Sequence, residues 1–222
     1  MLVYEFLGEG SNRYSQKIAL VLKEERWTYR EIDEKANQVG RFLRNQRIHG
    51  GDRVAIFLDH SGESVISLFG ILKVGAVFLM LGSLLKPAKL AYIQNNCQVK
   101  TIISDSRKVA AAAEVLPSTP GLQAVISVSN QGSRSSKVQS NLIPWSEIDS
   151  VPASSKTKLP TANIDLGLGT ILDTSGSTGN PKGVMLTHLH MTSAATFPLP
   201  EERLWGGTNE SSPLPSSYCS TA

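Results

Sequence analysis

Apolar positions recur at helical spacing from Tyr29 through Ile32, Ala36 and Val39 to Leu43, which predicts a helix with one buried face. Thr28-Tyr-Arg-Glu31 stands in front of it in the Thr-x-x-Glu form of a capping box. Gly50-Gly51-Asp52 then turns the chain into Arg53-Val-Ala-Ile-Phe-Leu58, a short apolar run suited to a strand covered on both faces. The same alternation continues. A helix from about Glu63 to Val74 leads to a strand at 77–81, and Pro87 opens a helix to about Asn95. A strand follows at 101–104, then an Ala-rich helix from Arg107 to Leu116, then a strand at 124–128. Strands alternating with helices predict an open, mostly parallel sheet flanked by helices, an α/β fold.

The periodicity fails between Ser127 and Ser155, where ten of 29 residues are serine, and the stretch from about 127 to 163 reads as a surface loop or linker. Strand character resumes from Leu166 to Thr174, returns at Val184-Met-Leu186, and gives way to a helix from about His188. Beyond Phe197 the chain is rich in Pro, Gly and Ser and shows no further clear element.

The stretch from Ser64 to Leu85 is long enough to span a bilayer, so it needs a separate decision. Lys73 near its centre would cost about 2.5–3.5 kcal/mol on insertion. The pattern also changes from helix to strand after Gly75, so the stretch reads as a buried helix and a central strand, with no stable membrane span. Met1 to Leu7 has no basic start and carries Glu5 within its apolar run, a poor signal peptide. The chain has 222 residues and a net charge of +3, with its 22 basic residues scattered, and nothing points to a nucleic-acid partner. Only two cysteines, Cys97 and Cys219, are present, which fits a reducing compartment, the cytoplasm by default.

The candidate chemistry lies in Thr174-Ser-Gly-Ser-Thr-Gly-Asn-Pro-Lys-Gly183, with four hydroxyls, three glycines and one lysine in ten residues. Glycines let backbone N–H groups approach an anion, hydroxyls add donors, and Lys182 brings a mobile positive charge, so the pattern suits a polyphosphate. It is not a Walker A loop, because Pro181 and Gly183 flank the lysine. Gly8-x-Gly10 is not a dinucleotide fingerprint either, with Arg13 at the third glycine's place. A flexible Ser/Gly hairpin connector is the competing reading of composition alone. His188 and His190 lack a Cys or carboxylate at ligand spacing and read as a strand-end and a helix-surface histidine.

Residues 174–188, Thr-Ser-Gly-Ser-Thr-Gly-Asn-Pro-Lys-Gly-Val-Met-Leu-Thr-His, resemble the phosphate loop of the adenylate-forming superfamily, which includes acyl-CoA synthetases and peptide-synthetase adenylation domains. Residues 27–37, 51–56 and 69–78 resemble successive N-terminal blocks of that superfamily in the same order, and 84–87 and 91–97 look most like AMP-forming acyl-CoA ligases. The resemblance implies an incomplete N-terminal domain spanning 1–222, with the lysine-bearing C-terminal domain absent. It implies activation of a carboxylic acid by ATP with Mg2+, followed by transfer to coenzyme A. By matching position, Thr174, Ser175, Gly176, Ser177, Thr178, Gly179, Lys182 and Gly183 would hold ATP's phosphates. The alternative for the chain by itself is a non-catalytic, truncated remnant that at most binds nucleotide or a partner protein. Two positions depart from the pattern: Asp173, where an aromatic or apolar residue usually stands, and Met80 in place of a proline. With Ile171 and Leu172 beside it, Asp173 is expected on a buried strand, as a stability defect.

Overall fold

The computed structural model describes residues 1–82, 84–105, 108, 112, 115–128, 142–152, 159, 163–174 and 182–196; the side chains of Leu116, Asp173, Thr174 and Lys182 stand outside that description. The chain opens with helix α1 (Val3–Arg13), the hairpin β1 (Ile18–Leu22) and β2 (Glu25–Thr28), and helix α2 (Tyr29–Asn45). Strand β3 (Arg53–Phe57), helix α3 (Gly62–Lys73), strand β4 (Val77–Met80), helix α4 (Pro87–Cys97) and strand β5 (Val99–Ser104) follow in alternation. Then come β6 (Ala124–Ser127), β7 (Leu142–Pro144), the short helix α5 (Ser146–Asp149), β8 (Leu168–Thr174), β9 (Lys182–Thr187) and helix α6 (His188–Thr196).

Seven strands form one sheet in the order β7-β6-β5-β3-β4-β8-β9, parallel throughout except for β9, which runs antiparallel to β8 at the edge. Side chains alternate across β3, so Val54 and Ile56 join the core under α1, α2 and α3, while Ala55 and Phe57 join the core under α4. The expected α/β architecture is therefore present, with helices on both faces.

Local chemistry explains most boundaries. Thr28 accepts the Glu31 N–H at 3.2 Å and Glu31 accepts the Thr28 N–H at 2.8 Å, closing the capping box that starts α2. Gly75, at φ +83°, ends α3, because the left-handed turn there suits a residue without Cβ. Helices α2 and α3 cross closely at Gly70, where a Cβ would lie 2.5 Å from the Val39 side chain and 3.0 Å from the Ala36 carbonyl oxygen. Arg53 ties the start of β3 to the end of α4, donating to the carbonyl oxygens of Cys97 and Gln98 at 2.6 and 3.2 Å.

Lys73, which argued against a membrane span, lies buried between α2 and α3. Its ammonium donates to Asp33 Oδ1 at 2.6 Å and to Asn37 Oδ1 at 2.8 Å. Burial pushes this ammonium below the usual lysine range, outweighing the opposing pull of Asp33. No helix among the described residues is long and apolar enough to cross a membrane.

Three features were not read from the pattern. α1 and the β1–β2 hairpin carry no strong signal, and the hairpin turns at Lys23 (φ 54°) without the glycine or asparagine such turns favour. Part of the stretch expected to be a loop or linker, 142–149, instead forms β7 and α5, with Trp145 and Ile148 buried in the core. Most of the expected helix at 107–116 lies outside the described residues.

Two substitutions test this packing. Lys73→Met leaves the Asp33 carboxylate half-buried without its cation and should lower unfolding stability by about 3 kcal/mol, read from urea denaturation. Gly70→Ala should cost about 1–3 kcal/mol in the same measurement, because the new methyl presses on Val39 and on backbone.

Candidate functional site

The segment 174–183 begins and ends in paired strands. β8 is parallel to β4, with Phe78 opposite Thr170, Leu79 opposite Ile171 and Met80 opposite Leu172. β9 returns antiparallel, with Leu172 opposite Val184, Asp173 opposite Gly183 and Thr174 opposite Lys182. Thr174 and Lys182 therefore face each other across the hairpin at the carboxyl end of the parallel strands, the end of an open α/β sheet where ligands bind. Ser175, Gly176, Ser177, Thr178 and Gly179, together with Asn180 and Pro181, lie outside the described residues.

Gly183 also has a packing reason to lack a side chain, since a Cβ there would meet Ile171 Cγ2 at 2.9 Å. The expectation of a buried strand around Asp173 is corrected in part. Thr170 is 2% exposed, but Leu172, two residues further along β8, is 36% exposed. Asp173 is described only by its backbone pairing. Met80, the other departure, is 37% exposed in the same row as Leu172.

The hairpin is anchored at its far end. Thr187 and His190 cap α6 reciprocally: the His190 N–H donates to Thr187 Oγ1, and the Thr187 N–H to His190 Nδ1, both at 3.2 Å. A histidine replaces the usual Glu or Gln, so no capping signature was legible here. His188 is fully buried rather than a plain strand-end residue. Its Nδ1 accepts the Val3 N–H at 3.3 Å, docking the start of α1. With Nδ1 accepting, Nε2 carries the proton of the neutral ring. The Asn163 side-chain amide lies 3.4 Å from Nε2, and its oxygen is the group that belongs opposite that proton. Burial pushes the His188 pKa down, against the pull of Glu5.

Elsewhere at this end of the sheet, Lys108 bridges Asp59 beyond β3 at 2.7 Å and Asp105 beyond β5 at 3.7 Å, an ion cluster that no motif announced. No group of three or more His, Cys, Asp or Glu that could hold a metal ion occurs among the described residues.

The fold and the placement of this hairpin define an α/β protein with a Gly/Ser/Thr-rich loop at the carboxyl end of its sheet. The family model for AMP-binding enzymes matches residues 8–217, and the chain belongs to that family. It is 28% identical over 195 residues to tyrocidine synthase 2 of Brevibacillus parabrevis, covering 88% of this chain and 5% of that protein. It is 29% identical over 173 residues to a medium/long-chain-fatty-acid and 3-oxocholest-4-en-26-oate CoA ligase of Mycobacterium marinum, covering 78% of this chain and 31% of that enzyme. The anthranilate CoA ligase AuaEII, solved with anthranoyl-AMP, shares the fold at a TM-score of 0.75 and 23% identity, over 85% of this chain and 35% of that one. The chain thus spans about a third or less of the length of these relatives.

His188 makes stability depend on pH. Its folded-state pKa lies below the unfolded value near 6.5, so its contribution is fully present above that pH and is lost as pH falls through the folded value. Urea midpoints should fall between pH 7.5 and 5.5, and His188→Gln should flatten part of that fall.

Proposed function

We propose that the chain is the phosphate-gripping part of an enzyme that activates a carboxylic acid with ATP. The carrying observation is the pairing of Thr174 with Lys182, which closes a polar, glycine-rich loop at the carboxyl end of the sheet. On this reading the N–H groups and hydroxyls of Thr174, Ser175, Gly176, Ser177, Thr178 and Gly179 hold the β- and γ-phosphates. Lys182 adds charge, and Gly183 lets the strand begin close to the loop. The substrate's carboxylate is itself the nucleophile. It attacks the α-phosphorus, the bond to the bridging oxygen breaks, and pyrophosphate leaves with the negative charge that the loop's donors stabilise. No general base is required, and no residue of this chain is assigned one. Mg2+ would screen the phosphates; no described residue is assigned to it.

Coenzyme A is the proposed acceptor, supported by the likeness to a CoA ligase; a carrier-bound thiol is the competing acceptor. A cytoplasmic setting accords with ATP and coenzyme A as substrates.

Two measurements on the purified chain test the phosphate role and whether the chain carries an adenylation centre by itself. ATP binding followed by calorimetry should be salt-sensitive, and Lys182→Ala should weaken it about tenfold or more, as loss of a charged hydrogen bond of roughly 1.5–3 kcal/mol implies. Exchange of labelled pyrophosphate into ATP across fatty and aryl acids should stay at the level of the Lys182→Ala control. Acid-dependent exchange well above it would mean that the chain holds an adenylation centre of its own, and ATP binding indifferent to Lys182→Ala would remove the phosphate role.

A further inference from the structure

At the amino end of the sheet, opposite the loop, the starts of β3 and β5, the last turn of α4 and the segment 119–123 border a cavity of about 440 Å3. Gln94 of α4 forms part of its floor. It is 2% exposed, yet neither Nε2 nor Oε1 has a hydrogen-bond partner. A buried amide left unpaired on both atoms costs stability, and native folds rarely keep one without a use. At the rim, Gln98 ends α4 in the left-handed region, at φ 50° and ψ 52°, where glycine or asparagine is usual. Arg53 holds it there, donating to Gln98 Oε1 at 2.8 Å and to the carbonyl oxygens of Gly51, Cys97 and Gln98. Lys100 gives one contact to Asp52 Oδ1 at 2.8 Å and has two further N–H groups to offer. Among the described residues that line the cavity, none is acidic.

We propose that this cavity binds a small carboxylate that also carries a carboxamide. Gln94 presents a donor and an acceptor side by side, and the group that answers both at once is another amide. Its amide is sealed beneath the floor, so the ligand engages it as the side chain turns outward into another rotamer. Asn95 Nδ2 is engaged by the Ser118 carbonyl oxygen at 2.7 Å, which fixes α4 to the wall of the cavity and leaves Asn95 Oδ1 to accept from the ligand. Asp52 cancels one of the two charges that Lys100 and Arg53 bring, and the single charge left matches a carboxylate better than a phosphate dianion. The volume falls within the range of small-ligand sites, roughly 300–1,000 Å3. The length of β3, on the order of 15 Å, separates this end of the sheet from the end that carries Thr174 and Lys182. A carboxylate held here is therefore not the one the loop would activate, and the proposal does not depend on what the loop binds.

Succinamate, which joins a carboxylate to a carboxamide, serves as the probe. Titrated into the isotopically labelled chain and followed by NMR, it should move the Gln94 side-chain amide and the backbone amides of 94–100 and 119–123 together, to saturation. Propionate, without the carboxamide, and propionamide, without the charge, should each bind about tenfold or more weakly, as loss of a hydrogen-bonded group or of an ion contact implies. Lys100→Met should weaken succinamate binding by a similar factor. Gln94→Leu should weaken it too and should raise the melting temperature, because it removes an unpaired buried amide. If Gln94→Leu fails to fold, Lys100→Met decides. Lys182→Ala should bind succinamate as the parent chain does, which separates this site from the loop. No saturable shift at these amides, equal binding of all three probes, or binding indifferent to Lys100→Met would each overturn the proposal. A folded Gln94→Leu of lower melting temperature would overturn it as well, and would mean that internal water pairs the amide.

Discussion

The register of β8 between β4 and β9 is the constraint on which the candidate site depends. Because Met80 stands opposite Leu172 and Leu172 opposite Val184, the next pair outward on the same face is Thr174 and Lys182. A slip of one residue would turn Ile171 out of the α4-side core and would separate the two ends of the loop. Parallel strands covered on both faces leave their carboxyl ends as the accessible place for chemistry, and this register delivers the polar loop there.

Buried polar contacts hold the neighbouring elements in place. Lys73 with Asp33 and Asn37 fixes α3 against α2, where the bare position at Gly70 lets the two helices close. His188 fixes the far end of the loop hairpin to α1 through a backbone amide, so the strand that carries Lys182 is joined to the start of the chain. A buried ion pair gains little net stability over a well-packed apolar pair, but removing either partner strands a charge. Lys73 and Asp33 thus specify how α2 and α3 meet more than they strengthen the fold.

Legibility followed the strength of the local signal. The capping box at Thr28, the glycine turn before Arg53, Pro87 at a helix start and the doubly buried run 53–57 each state their structure within a few residues, and each is present. The order of strands in the sheet is a tertiary outcome that no local pattern carries. α1 and the Lys23 turn were missed because neither uses the residues such elements favour, and β7 because its three residues sit within serine-rich sequence. The proposed site was legible only as a string, whose glycines, hydroxyls and lysine suit a polyphosphate. Its geometry needed the pairing of Thr174 with Lys182. The burial of His188 was not legible, since its partners, Val3 and Asn163, lie 185 and 25 residues away.

The account rests on the hairpin loop being the place where polyphosphate is held. Backbone amide shifts of the isotopically labelled chain, followed by NMR during titration with ATP and separately with inorganic tripolyphosphate, test this directly. Both ligands should move the amides of 174–183 together, and Lys182→Ala should abolish most of the movement. Shifts confined to the Asp59, Asp105 and Lys108 cluster, or unchanged by Lys182→Ala, would contradict it.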